Sequence, residues 1–91
     1  MPAALILHRK FVHAGGIVEM VLWRLPRPAE GKPHGLKYRL YFGRAGAFLV
    51  RYDNERGKGD HRHYGTQEEP YRFVDVDRLL ADFMADVRRL T

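Results

Sequence analysis

The sequence predicts an α+β domain: an antiparallel meander of four to five strands, with one C-terminal helix packed on one face. Three observations carry this. Residues 36–42 alternate strictly, with Leu36, Tyr38, Leu40 and Phe42 against Lys37, Arg39 and Tyr41, the period-two pattern of a half-buried strand. Short apolar runs are separated by Gly- and Pro-containing turns rather than by helical stretches. Near the C-terminus Val76, Leu79, Leu80, Phe83, Val87 and Leu90 recur at helical spacing and form one stripe.

The elements follow in order. Residues 5–13 read as a strand, with Gly15-Gly16 as the turn behind it. Residues 17–25 form the most apolar strand, with Val18, Met20 and Leu22 on one face and Ile17, Val21, Trp23 and Leu25 on the other; such a strand asks for cover on both sides. The stretch 26–35 holds three prolines and two glycines and reads as a long connection. Gly43 to Gly46 turns the chain and residues 47–52 return it; 61–64 form a further strand, and 66–70 read as loop. Asp75 is placed to cap a helix running to about Leu90, with Asp77 near its start and Arg88-Arg89 near its end favouring the helix dipole.

Ninety-one residues allow one domain, 1–91, with a small core. There is no cysteine, which removes disulfides and thiolate metal sites and favours a reducing compartment. The N-terminal apolar run is too short for a signal peptide or a membrane span, so the expectation is a cytoplasmic protein that does not engage membranes. The net charge is +5, unevenly spread: twelve Lys/Arg against five Asp/Glu up to residue 65, and four against six beyond it. A basic body suits a polyanion or an acidic protein partner.

Reactive side chains concentrate in Tyr-Asp-Asn-Glu-Arg-Gly-Lys-Gly-Asp-His-Arg-His, residues 52–63. If the 43–46 turn and the 54–59 loop are both symmetric, Tyr41 pairs with Phe48, Arg39 with Val50, Lys37 with Tyr52, and Tyr52 with His61. One face then carries Lys37, Arg39, Tyr41, Tyr52, His61 and His63. The other carries the aliphatic residues and, towards the tip, Arg51, Asp53, Asp60 and Arg62. A one-residue slip in either turn inverts part of this assignment. The helix is expected on the aliphatic face, leaving the cationic and imidazole-bearing face open.

His61 and His63 stand two apart on a strand, roughly 6.8 Å between Cα atoms, so their rings can converge on one metal ion or one phosphate. As zinc ligands they need a third partner; Asp53 and Asp60 are nearest, but the register above points both to the other face, and no metal is expected. The metal-free alternative is RNA cleavage by acid–base chemistry. His61 and His63 would be acid and base, Lys58 between two glycines the phosphate cation, and Asp53 the orienting carboxylate. Lys37, Arg39, Arg56 and Arg62 would track the backbone, with Tyr41 and Tyr52 stacking bases. Tyrosines on a small sheet also serve as plain cross-strand fillers. His8, His13 and His34 lack such company and are assigned structural or surface roles.

The same stretch, with Gly-Ile-Val-Glu-Met-Val-Leu-Trp (16–23), Pro-His-Gly-Leu-Lys-Tyr-Arg-Leu (33–40), Glu-Glu-Pro-Tyr (68–71) and the closing helix, resembles the TumE-type toxins of prokaryotic toxin–antitoxin pairs, in order and over nearly the whole chain. The resemblance implies a toxin with a cognate helix-turn-helix antitoxin; with the motif and the basic body it points to RNA as target. The alternative is a non-catalytic nucleic-acid binder acting by occupancy. One helix covers one face of a sheet, so the far side of Ile17, Val21, Trp23 and Leu25 needs a second cover, and a homodimer is expected there.

Overall fold

Tight turns set the frame of the molecule. Ala14 and Gly15 both have positive φ (50° and 77°), as do Ala45 and Gly46 (53° and 79°), the conformation of two-residue hairpin turns whose twist matches that of the flanking strands. They join β1 (Ala4–His13) to β2 (Gly16–Arg24) and β3 (Leu36–Arg44) to β4 (Ala47–Asp53). The turn residues are therefore Ala14-Gly15 and Ala45-Gly46, with Gly16, Gly43 and Arg44 still paired in strands. The computed structural model describes residues 3–28, 32–54 and 59–91. Arg56 and Lys58, expected at the hairpin tip, lie outside the described residues.

The sheet has six strands in the order β1-β2-β3-β4-β5-β6, each antiparallel to the next. The expected meander is present with one strand more. After β5 (His61–Tyr64) the stretch taken for a loop forms β6 (Gln67–Pro70), turned at Gly65-Thr66 with Gly65 at φ 60°. Its Gln-Glu-Glu-Pro sequence has little strand propensity, and it lies on the sheet edge, where a terminal proline leaves no ladder bond unmade.

The register corrects the expected pairing. Gly43 faces Phe48, but Phe42 faces Val50, so Leu49 is an extra residue bulged out of β4. Beyond the bulge Tyr41 faces Arg51 and Arg39 faces Asp53; across the next hairpin Asp53 faces His61 and Arg51 faces His63. Both assumed symmetries fail, and each failure reverses the faces. The two reversals offset each other at β5, so His61 and His63 share a face with Lys37, Arg39 and Tyr41 as expected. Only β4 between them is inverted: Tyr52 goes to the covered face, and Arg51 and Asp53 to the open one.

The helix α1 (Val76–Arg89) begins as expected, the Asp75 carboxylate accepting the Arg78 backbone N–H at 2.7 Å. It buries Leu79, Phe83 and Val87 against Val18 and Leu22 of β2, Tyr38, Leu40 and Phe42 of β3, and Val50 and Tyr52 of β4. Fully burying a side chain such as Phe83 contributes roughly 1.5–3 kcal/mol. Two helix carboxylates one turn apart fasten it polarly. Asp86 accepts from the Tyr52 and Tyr64 hydroxyls, Asp82 from that of Tyr71 at 2.7 Å. Among the described residues no helix lies over the opposite face, which is the open one. Among the described residues no helix is long and apolar enough to cross a membrane.

Candidate functional site

The pairing places side chains of the open face in cross-strand rows. One row runs Lys10, Glu19, Tyr41, Arg51, His63, Glu68; the next runs His8, Val21, Arg39, Asp53, His61, Pro70. Each row passes through a histidine of β5 before it ends on β6. Tyr41 lies over Gly43, where a Cβ would stand 2.3 Å from its hydroxyl; the ring is thus laid along the sheet rather than standing out from it.

At the β4–β6 end five side chains meet. His61 Nε2 is 2.8 Å from Asp53 Oδ1, and Arg51 Nε is 2.9 Å from Asp53 Oδ2. His63 Nε2 lies 3.2 Å from Glu68 Oε2 and 3.4 Å from an Arg51 terminal nitrogen, and the two imidazole centroids are 5.0 Å apart. The cluster is buried at its base and open at its rim: Asp53 and His61 are buried and His63 nearly so, while Arg51 is half-buried and Glu68 exposed. Phe48 stacks on the Arg51 guanidinium at 5.1 Å and meets the His63 ring edge-on. A cleft of about 260 Å³ beside it is lined by Asp60, His61, Glu68, Glu69 and Pro70.

The hydrogen bonding here is incomplete. His61 Nδ1 is 3.0 Å from the Gly59 carbonyl. A carbonyl only accepts, so Nδ1 carries a proton, and in a neutral ring Nε2 would be bare. A bare nitrogen 2.8 Å from a carboxylate oxygen sets lone pair against lone pair. A single proton between Nε2 and Oδ1 closes the contact as a hydrogen bond. Arg51 Nε is likewise enclosed and close to Asp53 yet makes no aligned hydrogen bond. Burial, with help from the Arg51 charge, pushes the His63 pKa below its ordinary value, favouring the neutral imidazole. Asp53, His61 and His63 each offer one ligand atom, all within 4.8 Å of one another; two imidazoles and a carboxylate are a donor set that zinc accepts. The ground for expecting no metal, carboxylates on the far face, therefore fails for Asp53.

Asp60 does lie on the far side, with a histidine of its own. Its Oδ1 accepts from the Tyr38 hydroxyl at 2.7 Å and lies 2.9 Å from His34 Nε2. The Leu36 N–H donates to His34 Nδ1 at 3.1 Å, which fixes the ring proton on Nε2, facing the carboxylate. Asn54, wholly buried, continues the β3 ladder: its Oδ1 accepts from Tyr38 N at 3.0 Å and its Nδ2 donates to Leu36 O at 2.8 Å. Burial first, then Asp60, holds the Tyr38 phenol far above its ordinary pKa. His34, assigned a structural part, has one here.

The other expected site residues divide cleanly. Lys37, Arg39 and Tyr41 are on the open face. Tyr52 and Arg62 are on the helix-covered face: Tyr52 is fully buried and donates to Asp86, and Arg62 donates to Glu69 at 2.6 Å and to the Tyr52 hydroxyl at 3.2 Å. Sequence reasoning missed Arg51 and Glu68 as neighbours of the imidazoles. Glu68 was discoverable from Gly65-Thr66 as a two-residue turn, which pairs it with His63; Arg51 required the bulge at Leu49.

No curated protein and no solved structure matches the chain. One family model does, described as Toxin TumE, and it matches residues 3–91, a span that takes in every strand, the helix and both aspartate–histidine pairs. The chain therefore belongs to the TumE toxin family and is the toxin of a toxin–antitoxin pair.

Proposed function

We propose that this toxin acts on RNA, bound along the open face and cleaved at the Asp53–His61–His63 cluster. The observation that carries the reading is the convergence of both histidines with Asp53 and Arg51 at the end of a face bearing Lys37, Arg39 and Tyr41. Cleavage within an RNA strand needs a base for the 2′-OH, an acid for the leaving 5′ oxygen and a cation at the phosphate. In this reading neutral His63 is the base. His61, anchored through Nδ1 on Gly59 and oriented by Asp53, carries the second proton and is the acid. Arg51 joins Lys58 and Arg56 as a phosphate cation. Tyr52 and Arg62 are left out of the RNA track because they hold the helix.

Labelled RNA incubated with purified toxin tests this. His63→Ala and His61→Ala should each lower cleavage ~10²–10⁴-fold without loss of the folded far-UV spectrum. Binding with a steep salt dependence but no cleavage would instead make the toxin an occupancy binder. Undiminished cleavage by the folded double variant would place the chemistry elsewhere.

The same proposal covers partners. The β1–β2 half of the open face holds Leu5, Val12 and Ile17 exposed beside Val21 and Trp23, around His8, Lys10 and Glu19, and we assign it to a second copy of the chain. The antitoxin, a helix-turn-helix protein, would cover the basic half through acidic residues. Light scattering on the isolated toxin decides the first point, and a monomer at micromolar concentration would end it.

A further inference from the structure

We propose that Asp53, His61 and His63 bind a divalent transition-metal ion of the zinc class, and that the ion shuts the site. Three features of the cluster support a metal over a purely structural role. First, its ligand atoms converge from one face of two adjacent strands, all within 4.8 Å; bonds of about 2.0–2.1 Å to zinc need only a modest closure of the His63 side chain. Second, the donor set of two imidazole nitrogens and one carboxylate oxygen suits zinc, cobalt or nickel and does not suit magnesium or calcium, which take oxygen donors. Third, Nδ1 of His61 is committed to the Gly59 carbonyl while Nε2 lies 2.8 Å from Asp53 Oδ1, so Nε2 is the ring nitrogen presented to the cluster. The His34–Asp60 pair shows how this sheet closes such a contact when no ion is wanted: a backbone N–H on one ring nitrogen and a phenol on the carboxylate.

The surroundings define the ion's competitor. Arg51 lies against the outer oxygen of Asp53 and 3.4 Å from His63 Nε2, so a metal has to displace the guanidinium from His63. Glu68, 3.2 Å from His63 Nε2 and 3.7 Å from His61 Nε2, is placed to supply a fourth ligand through its carboxylate. The ion would take the lone pair that His63 offers as a base and the position of the proton on His61. Metal binding and acid–base cleavage therefore exclude each other. This regulatory half rests on the proposed cleavage; the binding half does not.

Titrating the full chain with ZnCl2 by calorimetry, and with CoCl2 by visible absorption, tests the binding half. One ion per chain is expected, with the Co²⁺ bands of a four- or five-coordinate site. Asp53→Ala, His61→Ala and His63→Ala should weaken binding by more than the about 10–100-fold that loss of a supporting contact costs a metal site. Arg51→Met should tighten it, and His34→Ala should leave it unchanged. Should an alanine variant unfold, protection of His61 and His63 from diethyl pyrocarbonate by Zn²⁺ in the native chain gives the same answer. No binding by folded protein, or unaltered binding by the triple alanine variant, overturns the site. For the regulatory half, Zn²⁺ should abolish RNA cleavage and EDTA restore it. Zn²⁺-dependent cleavage would leave the site standing and overturn the acid–base reading, whereas binding with no cleavage under any condition would overturn only the cleavage proposal.

Discussion

Two aspartate–histidine pairs lie on opposite faces of one sheet, at the same end and at similar burial: the side chains of His34 and Asp60 are 14% and 13% exposed, those of His61 and Asp53 9% and 8%. What separates them is closure. In the His34–Asp60 pair each ring nitrogen has one complementary partner, and the carboxylate also receives a phenol. In the His61–Asp53 pair one nitrogen donates to a carbonyl and the other meets an oxygen, while a guanidinium and a second imidazole crowd the remaining positions. Buried polar groups that fit are part of the scaffold. A crowded cluster that leaves a buried donor such as Arg51 Nε without an aligned partner has the character of a site.

The largest blow to the closed side should come from Asn54→Asp. It replaces the amide that donates to Leu36 O with an oxygen, and sets that oxygen near Asp60 as well. A cost of about 3 kcal/mol is expected, on the order of 12–24 °C in melting temperature for a domain this size, read by calorimetry. A shift of only a few degrees would show the ladder at the end of β3 to be dispensable.

Next in size is a paired comparison. His34→Ala leaves the Leu36 N–H and one side of Asp60 without partners and should cost about 1–3 kcal/mol, with cleavage per folded molecule unchanged. His61→Ala should cost about 1 kcal/mol or less, because Asp53 keeps Arg51, while cleavage falls ~10²-fold or more. If the two variants exchange these effects, the assignment of scaffold and site is reversed.

The smallest effect calibrates both pairs with a third carboxylate. Burial alone would raise the Asp86 pKa, but the hydroxyls of Tyr52 and Tyr64 and the Arg89 guanidinium more than offset it, and the net shift is downward. A depressed folded-state pKa gives stability that is fully present above the ordinary carboxylate range and is lost as pH falls through the lowered value. Acid unfolding followed by circular dichroism should therefore show Asp86→Asn with a shallower acid limb than the parent. Equal acid limbs would mean that the helix is not held through this carboxylate.

The fold was legible because it rests on local signals. Alternation in β3, the apolar stripe of α1 and the Asp75 cap each follow from residues near one another in sequence, and they appear as expected. The covered faces of β2 and β3 were legible for the same reason, and that of β4 was not, because the bulge inverts it. The site was legible in composition and not in geometry. Residues 52–63 identified Asp53, His61 and His63, but which of them meet depends on the number of residues between turns. The bulge at Leu49 carries no marker such as glycine, and the pairing of Asp53 with His61 does not follow from the length of the connection between them. Glu68 went unseen because its strand is held by an edge ladder rather than by side-chain propensity, and Asp60 with His34 because their contact crosses 26 residues.

The extra residue at Leu49 also constrains what descent can do to this protein. Side chains on a strand obey a binary rule, and every length change of one residue between Arg44 and Asp53 toggles it. A single deletion there would keep Asp53 opposite His61 but turn both, with His63, toward the apolar layer under Phe83 and Tyr52 toward the open face, although every strand could still form. Variation within the family should therefore change the length of this segment in steps of two. The toxin's chemistry is held in place by a count, and a lineage can lose it by one codon without altering any residue that performs it.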